Sequence, residues 1–341
     1  LTDEVAREVA GKVRVRLSHR ELSELSRERV VNPDAERATL RGKTQMWSGL
    51  GEPMLRAIQF FEEALAHDPD YAPAWAGIAA ASNLLTYTSE ATAAEAFNRA
   101  KETARRAIEL DPTLAEAHGA LAWPLATHDW DWEAAEASFL RALELNPGEP
   151  VAGPMYGFFL AWMGRFDEAV AQSRIAESYD PANPVALQNT AMVLSLAGRN
   201  QEASEKAREL AAMDPGNMWA HYRLAQARLG LGDLDGAIRG GEAAAAISPD
   251  PRRKAALGHA YGRAGRVEDA RSILDGLQAM SEDRYVPPTA FAAIHAGVGE
   301  VDAALERLEE GYRQRDGDMV LLSTWLYWDA LRNEPGFSSL L

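Results

Sequence analysis

A proline that returns every 34 residues limits this chain more than any other feature. It follows a short polar residue at Asp68-Pro69, Asp111-Pro112, Asn146-Pro147, Asp180-Pro181, Asp214-Pro215 and Ser248-Pro249, with spacings of 43, 35, 34, 34 and 34. Twelve residues before each proline stands an alanine: Ala57, Ala100, Ala135, Ala169, Ala203 and Ala237. Five before it the residue is Ala64, Ala107, Ala142, Ala176, Leu210 or Ala244, and eight before it Phe61, Ala104, Phe139, Ser173, Ala207 or Gly241. Two further copies lack the proline. One carries Leu257, Gly258, Tyr261, Gly265, Ala270 and Leu274, the other Gly299, Ala304 and Leu308. A fixed period of this length points to stacked identical units.

Each unit reads as a helix, a turn and a second helix. Alanine at a fixed position lets two helices approach closely. Glycine at Gly164, Gly198, Gly232, Gly265 and Gly299 suits the left-handed residue that ends the first helix. Polar pairs such as Asp167-Glu168 and Gln201-Glu202 then fall in the first turn of the second helix, where acids are favoured. The proline closes the unit because it cannot continue a helix and restrains the residue before it.

With glycine, alanine and proline in this register, the chain resembles the tetratricopeptide repeat family over residues 36–316. The resemblance implies an all-α fold: a right-handed α-solenoid of about eight units at 38–71, 72–114, 115–149, 150–183, 184–217, 218–250, 251–284 and 285–316. The second unit is long. Its extra nine residues fall between its helices, near Thr86 to Thr92, where Thr92 and Glu95 can form a capping box.

The two ends depart from the repeat. Residues 1–35 are expected to be a helical extension and linker, with an amphipathic helix over 3–17 carrying Val5, Val9 and Val13, and a second helix over 20–29. Residues 317–341 are expected to be a capping tail that covers the apolar face of the last unit. The chain starts at Leu1, inside a helical pattern and without Met, which reads as a piece of a longer protein. Asp3-Glu4-Val5-Ala6, Val31-Asn32-Pro33 and the tail strings Trp328-Asp329-Ala330-Leu331-Arg332 and Glu334-Pro335-Gly336-Phe337 are similar to segments bordering such arrays in bacterial signalling proteins. That likeness implies a TolB-like domain upstream.

Composition excludes several roles. The net charge of −16 argues against gripping nucleic acid or an anionic membrane surface. Without cysteine there is no disulfide, thiolate metal site or cysteine nucleophile. The longest apolar run, Val151 to Met163, is too short to span a bilayer, and no signal peptide is visible. A cytoplasmic location is expected, with a site outside the cytoplasmic membrane as the alternative.

In the family, the first helix of each unit lines a concave groove. By register the groove residues here are Trp123, Met155, Phe158, Trp162, Gln188, Asn189, Met192, Trp219, Tyr222, Arg223, Gln226 and His259. Aromatics and methionine offer adaptable apolar contact to a peptide, and amides and arginine offer hydrogen bonds. The alternative for each aromatic is packing between units. Some members clamp a terminal carboxylate; Asn189 and Arg223 stand at two of the clamp positions, but the others hold Pro154, Phe158 and Trp219. A clamp is therefore not expected, although Arg223 could still pair with one carboxylate.

No phosphate loop, nucleophile elbow or His-Glu-x-x-His pair occurs, and no two of the seven histidines stand four apart. The string His128-Asp129-Trp130-Asp131-Trp132 offers one imidazole and two carboxylates in a short loop. The competing reading makes Asp131 a helix cap and the tryptophans a staple. The expected function is a non-catalytic scaffold without cofactor, the sensory or interaction part of a bacterial regulatory protein. Its partner would be a protein or peptide in the groove, or its own upstream domain. The alternatives are self-assembly through the ends, suggested by Trp325, Leu326, Tyr327 and Trp328, and a metal-dependent enzyme at His128.

Overall fold

The computed structural model describes residues 32–46, 48, 51–87, 91–248 and 250–341. The helices expected over 3–17 and 20–29 lie outside the described residues. Those described form sixteen long helices and no strand. The helices pair along the chain as an α-solenoid. The first helices of the pairs are α1 (Pro33–Met46), α3 (Ala72–Leu85), α5 (Ala115–Pro124), α7 (Ala152–Trp162), α9 (Pro184–Leu196), α11 (Met218–Gly230), α13 (Pro251–Arg263) and α15 (Pro288–Val298). Their partners are α2 (Glu52–His67), α4 (Ala93–Leu110), α6 (Trp132–Leu145), α8 (Phe166–Tyr179), α10 (Asn200–Met213), α12 (Leu234–Ile247), α14 (Val267–Met280) and α16 (Val301–Gln314).

The repeated residues do the work that their chemistry allows. The alanines at 57, 100, 135, 169, 203 and 237, with Ala270 and Ala304, are buried where helices meet. Gly164, Gly198, Gly232, Gly265 and Gly299 all have positive φ, from 73° to 84°. The residue after each glycine donates its backbone N–H five residues back, as Arg199 does to the Leu194 carbonyl at 2.8 Å, which satisfies a carbonyl at the helix end. The residue before each proline is extended: Asp68, Asp111, Asn146, Asp180 and Asp214 have φ between −142° and −147°. In the long second unit, Thr92 and Glu95 form the expected capping box at the start of α4.

Consecutive first helices also pack on one another, closely at the C-terminal end. A Cβ on Gly297 would come within 2.8 Å of the His259 backbone, so only glycine lets α15 lie so near α13. After α16 the tail makes two 3₁₀ turns, Gly317–Leu321 and Leu326–Trp328, and a short helix, α17 (Pro335–Ser338). Trp328, Leu331 and Phe337 are fully buried, and Gly336 rests on Leu305 of α16.

The arc closes on itself. Arg315, just after α16, donates to the carbonyls of His128 and Asp129 at 3.0 and 3.2 Å, and Tyr312 packs on Trp130 with 5.3 Å between ring centroids. Arg252 in α13 donates to the Thr86 carbonyl at 2.8 Å, across 166 residues of sequence. The extra residues of the second unit therefore reach the seventh.

Candidate functional site

All twelve residues assigned to the groove lie on first helices: Trp123 on α5; Met155, Phe158 and Trp162 on α7; Gln188, Asn189 and Met192 on α9; Trp219, Tyr222, Arg223 and Gln226 on α11; and His259 on α13. Met155, Gln188 and Trp219 are half-buried and the other nine are buried. What covers much of this face is the tail. Tyr327 lies on His259 with 4.5 Å between ring centroids and against Trp325 at 4.4 Å. A crevice between the tail and the array is shared by Met192 and Gln226 with Trp325, Leu326 and Tyr327. The tail aromatics that suggested an end-to-end contact are thus turned inward: Trp325, Tyr327 and Trp328 are all buried.

Aromatic rings continue from there toward the start of the array. Trp123 meets Trp162 at 5.0 Å and Phe158 at 6.0 Å, and Phe158 meets Trp162 at 4.6 Å. Tyr87, from the long second unit, lies 6.4 Å from Trp123 and 5.9 Å edge-on to Trp219. A cavity of about 50 Å³ lies between these rings and tail residues Gly317 to Trp325. Met155, Gln188, Asn189, Gln226 and His259 are not part of its wall.

Charge is concentrated at the same place. Arg252 donates to Asp318 at 2.7 Å and lies 4.0 Å from Asp316. Asp316 is fully buried, accepts from the Thr289 hydroxyl and backbone N–H, and has its pKa raised by burial. Arg253 pairs with Asp250, the cap of α13. Arg223 donates to Gln226 Oε1 at 2.8 Å and to the Met192 sulfur at 3.0 Å. Burial lowers the pKa of both Arg223 and Arg253, the latter to about 10.

His259 responds to burial most directly. Its pKa is pushed down to about 4, because the ring is out of water, although its Nδ1 bond to the Ala293 carbonyl opposes this. The folded value lies below the unfolded one near 6.5, so the stabilisation is present above about pH 6.5 and is lost as the pH falls toward 4. Acidification from pH 7 to 4.5 is expected to lower the melting temperature, and His259→Gln to flatten that dependence. An unchanged slope in the variant would remove His259 as the cause.

The His128 string serves packing and capping. Asp131 accepts from the Ala134 N–H at the start of α6, as expected of a cap. Asp129 pairs with Lys101 at 2.6 Å, and the His128 ring packs on Phe97. Among the described residues, no group of three or more His, Asp or Glu side chains is placed to hold a metal ion. The local conformation was not foreseen: Leu125–Asp129 forms a π-helical turn, and Trp130 follows with φ 58°.

Residues 194–260 match the family model described as tetratricopeptide repeat. Over this stretch the chain is similar to the tetratricopeptide repeat. It carries Tyr222, Arg223, Gln226 and His259, so the tail rests in part on the matched repeats. Human IFIT1, solved as a dimer with m7Gppp-AAAA, superposes with a TM-score of 0.60 at 16% identity, over 82% of this chain and 72% of that one. A tetratricopeptide repeat protein from Parabacteroides merdae superposes with a TM-score of 0.50 at 13% identity, over 73% and 92%. At such identities the likeness is one of fold. No curated protein matches the chain.

The tetratricopeptide register places the twelve candidates on first helices, but does not point to Tyr87, Arg252, Arg253, Asp318, Trp325 or Tyr327. Arg252 and Arg253 have a visible signal. They follow Asp250-Pro251 at the start of a first helix, and two adjacent cations in a first helical turn are unfavourable unless acids meet them. No helix among the described residues is long and apolar enough to cross a membrane.

Proposed function

We propose that the chain is a non-catalytic interaction scaffold, and that its concave face holds an extended, aromatic-rich peptide segment of which its own tail is the resident example. The observation that carries this is Tyr327 seated on His259, beside Tyr222 and Gln226. Tyrosine and tryptophan give large contact area at low entropic cost, as binding anchors do. A partner segment of similar chemistry would compete with the tail. The likeness of the tail to those of bacterial regulatory proteins extends the proposal: the array is the interaction arm of such a protein, with an upstream domain as a further candidate partner. Nucleic acid, present with human IFIT1, is disfavoured for this chain by its net charge of −16.

The test uses the full chain and a labelled peptide of residues 317–341. Trp325→Ala with Tyr327→Ala should raise hydrogen exchange in the tail and let the peptide bind, while the wild type binds little. Adding Tyr222→Ala and Arg223→Ala should abolish binding. Equal peptide binding by wild type and both variants would put the interaction elsewhere on the molecule.

A further inference from the structure

We propose that the cavity between Arg223, Arg253 and the tail binds a small free monoanion, between chloride and acetate in size, which ties the tail to the concave face. Three arginines come together here, and two are accounted for. Arg252 is held by Asp318, Asp316 and the Thr86 carbonyl, and Arg253 by Asp250. Arg223 has no carboxylate within 4.0 Å among the described residues. Its donors go to an amide oxygen and a thioether, and its Nε has no partner. Arg253 Nη2 also has none. Both side chains are out of water, Arg223 at 6% and Arg253 at 1% exposed. They share one aromatic platform: Trp219 lies 5.2 Å from the Arg223 guanidinium and 4.8 Å from that of Arg253. A buried guanidinium without a counter-charge is costly, and an anion bridging the two would remove that cost.

Size and charge narrow the ligand. A cavity of about 50 Å³ has room for about three or four water-sized atoms. A peptide segment or a phosphate ester is too large. Asp318, which lines the cavity while paired with Arg252, disfavours a dianion, whereas a single negative charge balances Arg223. Among the aromatic walls, Trp162 brings an indole Nε1 with no partner and Tyr87 a hydroxyl, so the guanidiniums supply the charge and these groups add hydrogen-bonding capacity. The inference needs the tail where it lies, and stands whether or not other peptides use the groove.

The experiment holds ionic strength constant with sodium gluconate, whose anion is too large to enter, and substitutes chloride, bromide or acetate in the full chain. Tryptophan fluorescence and melting temperature are read together. The wild type should respond saturably, with a rise of a few degrees in Tm and quenching by bromide. A response to halides alone, to acetate alone, or to both identifies which monoanion fits, and each supports the site. Arg223→Met should lose the response, Arg223→Lys should keep it at weaker affinity, and the exposed Arg56→Gln should keep it unchanged. Identical behaviour in gluconate and in all three substituted salts, or an undiminished response in Arg223→Met, would overturn the site.

Discussion

Replacing Trp328 by alanine is expected to destabilise the protein by about 3–5 kcal/mol, the usual range for emptying a fully buried tryptophan site. Trp328 lies outside every repeat, yet it is 0% exposed and packs with Tyr327 and the last first-helix, α15. Leu341→Ala, at a residue 67% exposed, serves as the control and should change little. Urea unfolding with hydrogen exchange resolved along the chain separates two cases. If only the tail loosens, the tail is an appendage. If α13 and α15 lose protection with it, the tail is part of the array's core. The second outcome is expected, because His259 of α13 lies against Tyr327 and is itself bonded to the Ala293 carbonyl of α15. A loss below about 1 kcal/mol would contradict the burial of the ring.

Ala203→Asp is expected to cost on the order of 4 kcal/mol, since it places an unpaired charge at a 0% exposed helix contact in the middle of the array. In an open row of units such a lesion divides the protein, and the halves can melt separately. Here the loss should spread to both halves. Two calorimetric transitions would show that the halves are independent, and a single transition at lower temperature that they are not. A shift of less than a degree or two would mean that Ala203 does not sit in the helix contact its register assigns.

What the sequence made legible follows from what repeats. Each alanine, turn glycine and pre-proline residue meets the same local environment in every unit, so its role is set within about 34 residues of chain. The capping box at Thr92 and the cap at Asp131 are equally local, and both were readable. The candidate site was half legible. Periodicity assigns Tyr222, Arg223 and His259 to the inner helices, but does not say what faces them. Tyr327 meets His259 only because the arc curls, and curvature is the sum of small rotations that no single unit encodes. Tyr87 went unassigned for the same reason, since its contacts with Trp123 and Trp219 come from an irregular insertion. The π turn at Leu125–Asp129 occurs in one unit only, directly after Pro124 at the end of α5, so no repeated residue marks it.

The contacts from Arg315 to His128 and from Arg252 to Thr86 bear on how such a chain can change over time. An open solenoid tolerates gain or loss of one unit, because only the two neighbours notice. A ring that is latched across 166 and 187 residues has a fixed circumference. Inserting one 34-residue unit would swing the latch partners past one another and lift the tail from the inner face. The number of units is therefore a property of the whole ring. Variation should collect in the outward helices and their loops, while duplication or deletion of a complete unit carries a penalty out of proportion to its own contacts.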